Sequence, residues 1–277
     1  MAHLLLIHGA WGGAWEFQET LEGLRKQGDQ ATAIDLPGHG DFESPIAEVT
    51  MDAYVQTVID AAEAIEGPII LVGHSLGGAI ISQVAERIPH KIERLVYVAA
   101  MLPKNGDTPL GLMQSDEAGE LLPKLEFSAD QTYVTVGPEA VKQTLLHDVL
   151  EPKRLEAFLP HFAMKQATEP FMFAAELTEK SFGSVPKTYV RASIDRVLSP
   201  SLQDKMVTNW KVDRVLTLES GHFPLMSIPQ RLIEVIRSQA PPQTSASHLY
   251  RTNRTNEGAP NPASNGSTTW RGAWTFR

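Results

Sequence analysis

Short, continuous apolar runs alternate along this chain with longer segments in which apolar residues recur at helical spacing. Residues 4–7, 31–34, 69–72 and 93–100 read as buried strands, and 16–27, 51–65 and 79–86 as the helices between them. In 16–27, Phe17, Leu21 and Leu24 share one side and Gly28 provides the stop. The same rhythm returns at 186–192, 201–210, 213–218 and 229–238. Strand alternating with helix predicts an α/β fold, a mostly parallel sheet covered by helices on both faces.

Between these two blocks the rhythm breaks. From 104 to 184 no central strand is evident, and helical segments recur at 137–148, 151–159 and 170–179. The break predicts a mainly helical cap, 104–184, inserted in a core domain made of 1–103 and 185–240. Met113, Phe127, Phe158, Phe162, Phe171 and Met172 belong to this segment. They either line an apolar pocket or form the cap's own core, and both readings stay open. Residues 241–277, rich in Pro, Ser, Thr, Asn and Gly and without periodicity, are expected to be a disordered tail.

Chemistry concentrates where strands end. The strand at 69–72 runs into Gly73-His74-Ser75-Leu76-Gly77 and then into a helix. Strand, sharp turn and helix around G-x-S-x-G are what a nucleophilic serine needs: glycines clear a crowded turn, and the helix aims its amides at the reacting centre. Ser75 is therefore the expected nucleophile. A serine needs a base and the base an orienting carboxylate. His222, after the strand at 213–218 and a glycine, is the expected base. Asp195, just past the strand at 186–192, is the expected orienting acid. His74 is held by the turn itself and suits a packing or hydrogen-bonding role better. Asp204 within a helix and Asp213 at a strand's start are badly placed to serve as the acid. The oxyanion of a tetrahedral intermediate needs convergent backbone donors. Leu76, following the serine, and Ala10, in the glycine-rich loop after the first strand, are the expected pair. Gly9, Trp11, Phe223, Phe158 and Phe162 are candidates for contact with substrate, alongside Trp15.

Composition narrows the partners. The chain of 277 residues has no cysteine, which excludes disulfides, a thiolate nucleophile and a cysteine metal site. Net charge is −9, and residues 241–277 carry +3 of it, so residues 1–240 stand at −12. An acidic body speaks against nucleic acid. No apolar run spans a membrane and no basic-then-apolar leader opens the chain, so a cytoplasmic location is expected. No metal is expected: His8, His39 and His74 sit on separate loops without metal-binding spacing. No cofactor is expected either, because the glycines at 9–13 lack dinucleotide and phosphate-loop spacing. A monomer and a homodimer are equally compatible with the sequence.

Several motifs together carry a resemblance. These are the opening L-L-I-H-G-A-W-G-G-A-W, the turn D-L-P-G-H-G at 35–40, G-H-S-L-G-G at 73–78, Asp195 ahead of Pro200, and G-H at 221–222. Over about residues 3–240 the chain resembles the α/β-hydrolase family. Within it, the chain is similar to the branch of plant methylesterases, hydroxynitrile lyases and bacterial carboxylesterases, pyrethroid-cleaving enzymes among them. The resemblance implies an α/β-hydrolase fold and the triad Ser75, His222 and Asp195, with Ala10 and Leu76 as the oxyanion hole. It also implies a small-molecule substrate, a bulky hydrophobic ester held behind the cap. Lyases of this branch place a threonine after the histidine of the first-strand motif and a lysine after the catalytic histidine. This chain has Gly9 and Phe223 at those positions, which favours ester hydrolysis. The alternatives are a hydroxynitrile lyase or a hydrolase of lactones or carbon–carbon bonds on the same triad, and a slow-turnover, receptor-like binding protein.

Overall fold

The structure, a computed structural model, describes residues 2–239. The tail expected at 241–277 lies outside the described residues.

The chain opens with β1 (His3–Ile7), a 3₁₀ turn (Ala14–Phe17) and α1 (Gln18–Lys26). Next come β2 (Ala31–Ile34), α2 (Met51–Ala64), β3 (Ile69–His74), α3 (Gly77–Arg87) and β4 (Ile92–Val98). The inserted region follows. It contains α4 (Pro109–Gln114), β5 (Leu125–Phe127), β6 (Tyr133–Val136), α5 (Pro138–Ala140) continued by a π-helical turn (Val141–Leu145), α6 (Pro152–Phe158), β7 (Gln166–Ala167) and α7 (Glu169–Met172). The core resumes with β8 (Lys187–Ala192), α8 (Pro200–Val207), β9 (Arg214–Leu218), α9 (Pro224–Ser227) and α10 (Pro229–Arg237).

Six strands form one parallel sheet in the order β2-β1-β3-β4-β8-β9. Every residue of β3 is buried, as a central strand with both faces covered requires. Helices flank the sheet in pairs, α1 against α10 and α2 against α3. Their starts follow local chemistry. Thr50 caps α2 by accepting the Ala53 N–H, and Ser199 caps α8 by accepting the Leu202 N–H just ahead of Pro200. Because all strands are parallel, the loops after β1, β3, β8 and β9 leave from one edge of the sheet. From β1 the order runs outward to β2 on one side and to β3 on the other. The crevice beside β1 and β3 is thus the switch point where such sheets bind ligands.

The inserted region is mostly helical as expected, with two differences. It also holds a small antiparallel sheet, β5-β6-β7, whose strands are too short for their alternation to be read from sequence. The helix expected over 170–179 stops at Met172. Beyond it the backbone amides are claimed by distant partners: Ala175 N–H donates to Asp107 O, Leu177 N–H to the Asn105 side chain, and Thr178 N–H to the Glu86 carboxylate. Tertiary hydrogen bonds here outweigh helical propensity.

Candidate active site

β3 leads directly into Ser75, whose φ of +53° lies in the left-handed region that a side chain normally avoids. Flanking elements hold this turn. Ser75 N–H donates to Val98 O at 3.4 Å, and Met101 N–H donates to Ser75 O at 2.9 Å. The loop after β1 lies directly against it: a Cβ added to Gly9 would stand 2.6 Å from the Ser75 Cβ and 3.2 Å from its Oγ. Only a glycine permits that approach.

The loop after β9 brings His222 over the turn. Ser75 Oγ lies 2.9 Å from His222 Nε2, and His222 Nδ1 lies 2.8 Å from Asp195 Oδ2. Asp195 accepts two more hydrogen bonds through Oδ1, from the amides of Val197 (2.7 Å) and Leu198 (3.1 Å). A carboxylate that accepts from Nδ1 leaves Nε2 as the unprotonated nitrogen, ready to receive the serine proton. His222 and Asp195 are both buried. Burial holds the His222 imidazole below its ordinary value against the opposing pull of Asp195, so it is neutral, and basic, at neutral pH. The arrangement can take a proton from a hydroxyl and later return it.

Ala10 and Leu76 flank the same turn, one on the loop after β1 and one immediately before α3. Among the described residues no hydrogen bond takes either amide proton. Trp11, next to Ala10, adopts φ +54° and is pinned from the inserted region. Its amide donates to Gln166 Oε1 at 3.2 Å and its indole N–H to Val134 O at 3.3 Å. Phe223 is buried edge-on against His74 (ring centroids 4.5 Å apart) and Phe162 (5.4 Å). Phe158 packs on Trp15 beneath the Arg154 guanidinium. A small apolar pocket opens within the inserted region between α4, the small sheet and α7. Met113, Phe127, Phe171 and Met172 line it, and Trp11 reaches its wall through Phe171, with ring centroids 6.0 Å apart. These side chains therefore border a pocket, and Phe162 is buried against Phe223.

Other polar residues around the site left no mark in the sequence pattern. Glu16 meets His74, Asp148 accepts the Gly221 N–H at 2.6 Å, and Asp116 accepts both the amide and the hydroxyl of Ser199. For Glu16 the one available signal is an acid inside the apolar turn A-W-E-F. For the other two there is none, since their partners are remote in sequence. Among the described residues no group of three or more His, Cys, Asp or Glu is arranged to hold a metal ion, and no helix is long and apolar enough to cross a membrane.

Comparison with known proteins gives one family. The model of the Alpha/beta hydrolase family matches residues 4–235. Methylesterase 17 of Arabidopsis thaliana is 32% identical over 82% of this chain and 87% of its own length. The Alpha-hydroxynitrile lyase of Arabidopsis thaliana is 29% identical over 86% of this chain and 96% of its own. Among solved structures, a pyrethroid hydrolase from Sphingobium faniae JZ-2 superposes with a TM-score of 0.76 at 28% identity, covering 86% of this chain and 96% of that one.

Proposed function

The chain belongs to the Alpha/beta hydrolase family, and from that premise we propose that it is a serine carboxylesterase acting on a small hydrophobic ester. The observation that carries the reading is the continuous contact from Ser75 Oγ through the His222 imidazole to the buried Asp195 carboxylate. It is supported by general similarity to esterases and hydrolases of known fold and family. On this reading the chain divides into a core domain of 1–103 and 185–240 and an inserted cap of 104–184.

In this mechanism His222 Nε2 accepts the Ser75 proton as Oγ attacks the ester carbonyl. The bond to the carbonyl oxygen shifts its electrons outward, and the resulting oxyanion is met by the Ala10 and Leu76 amides. As the tetrahedral centre collapses, His222 gives the proton to the departing alcohol. Water, deprotonated in turn by His222, attacks the acyl-enzyme and frees the acid and Ser75. Asp195 orients the imidazole and steadies its transient positive charge. Gly9, Trp11, Phe223, Phe158 and Phe162 are the residues assigned to substrate contact.

Similarity in sequence alone does not separate hydrolysis from cyanohydrin cleavage, since relatives of both kinds match at comparable identity. The position after His222 favours hydrolysis. It holds a buried phenyl ring packed on His74, and no cation stands there to receive a departing cyanide. The test is turnover of a p-nitrophenyl ester series, acetate to decanoate, by the wild type and by Ser75→Ala. The reading expects multiple turnover that the substitution lowers by roughly three or more powers of ten. Equal rates in the two proteins would overturn it. Activity should also fall as pH drops, with the limb of kcat/KM centred below the ordinary histidine value of 6.5 because burial lowers His222. A limb centred above 6.5 would contradict that assignment.

A further inference from the structure

Beside His222 lies a second acid and imidazole that ester hydrolysis, as set out above, does not use. Glu16 stands on the 3₁₀ turn that follows the loop after β1, and His74 is the last residue of β3. Both side chains are fully buried. Glu16 Oε1 lies 3.1 Å from His74 Nδ1, and His74 Nε2 lies 2.9 Å from the main-chain oxygen of His222. The two histidine rings are 5.1 Å apart.

The proton count is fixed by the partners. The carbonyl of His222 only accepts, so His74 Nε2 carries hydrogen and donates to it. The contact between Nδ1 and Oε1 then needs one further proton, held either by the carboxyl or by the imidazole, and in both forms the pair is neutral as a whole. Burial raises the Glu16 carboxyl above its ordinary value, while His74 opposes that rise. The remaining oxygen, Oε2, makes no close hydrogen bond among the described residues, although the Gly9 amide faces the carboxyl. Oε2 occupies space that Gly12 leaves open, where a Cβ would collide with it. A buried acid with one unpaired oxygen is costly to keep. What it secures is a link across the loop after β1, the end of β3 and the loop after β9, the segments that bear Ala10, Ser75 and His222.

We infer that Glu16 and His74 are a positioning pair for His222: they share one proton, and the His74 Nε2–H holds the main chain of His222 so that its ring stays on Ser75. The inference rests on the serine esterase reading. Both side chains are sealed from solvent, so they act through His222.

The experiment compares Glu16→Leu and Glu16→Gln with the wild type on p-nitrophenyl butyrate, rates being normalised to burst-titrated sites. Leucine fills the space but offers no hydrogen bond. We expect it to lower kcat about tenfold or more with KM held within about twofold, because a misplaced base weakens only the reacting state. Glutamine donates to Nδ1 as the protonated carboxyl would. It should restore kcat to within about threefold of the wild type. Wild-type kcat in the leucine variant, or equal losses in both variants, would overturn the inference. Should the leucine variant not fold, ¹⁵N-histidine spectra of the wild type decide instead: His74 must show a protonated Nε2, and an unprotonated Nε2 overturns the pairing. Turnover that needs Ser75 but ignores Glu16 removes this inference alone. Turnover indifferent to Ser75 removes the esterase reading and this inference with it.

Discussion

At Gly9 two loops meet so closely that a single methyl group has no room. The added carbon would fall 2.6 Å from the Ser75 Cβ, against a backbone already held at positive φ, so the serine must move. A displacement near 1 Å at a reacting centre costs on the order of a hundredfold. Gly9→Ala is therefore expected to lose about a hundredfold in kcat/KM on a p-nitrophenyl ester, with thermal stability reduced far less; unchanged kinetics would contradict the close approach. Residues of this kind are legible in sequence when a local rule demands them. Ser75 is announced by its glycines, and His222 and Asp195 by their positions just past strands. Glu16 and Asp148 are not. Their partners lie 58 and 73 residues away, and no local pattern marks an acid whose purpose is set by a remote contact.

On the scale of elements, the inserted region does more than cover the sheet edge. Gln166 of β7 takes the amide of Trp11 beside Ala10, Asp148 takes the amide of Gly221 beside His222, and Asp116 takes the amide of Ser199 in the loop after Asp195. Each of these side chains fastens one loop of the candidate site. Gln166→Leu removes the acceptor for Trp11 and also the partner of His39 Nε2. It should lower kcat about tenfold through a loosened loop after β1, read with p-nitrophenyl esters; wild-type kcat would show that the loop holds itself. The core elements were legible because their periodicity is long and unbroken, from β1 to β4 and again from β8 to α10. Within 104–184 the pattern misled where tertiary bonds prevailed, as beyond Met172, and was silent for strands as short as Gln166–Ala167.

Across the whole molecule, buried bases set the response to pH. Burial lowers His8 most strongly, and His39 and His222 as well, from the ordinary value of 6.5. As pH falls below 6.5 the unfolded chain binds protons that the folded one refuses, so stability is lost towards acid. The raised Glu16 carboxyl works in the opposite direction but is one group against these three imidazoles and that of His3, which is lowered too. The melting temperature should drop between pH 7 and pH 5; a flat or rising profile would contradict the burial of these imidazoles. At the opposite edge of the sheet, Lys187 is buried with Nζ donating to Phe182 O (2.7 Å) and Val185 O (2.8 Å), and burial pushes it down to about 8. Lys187→Met strands those carbonyls and should cost about 1–3 kcal/mol in denaturant unfolding while leaving kcat per folded molecule unchanged.

Covalent acylation of Ser75 is the step on which the proposed chemistry turns. The most direct measurement is mass spectrometry of protein quenched during turnover of p-nitrophenyl acetate, followed by peptide mapping. One acetyl group on the peptide containing Ser75, absent in Ser75→Ala, is the predicted result. Turnover with no adduct, or with the adduct on another residue, would contradict it.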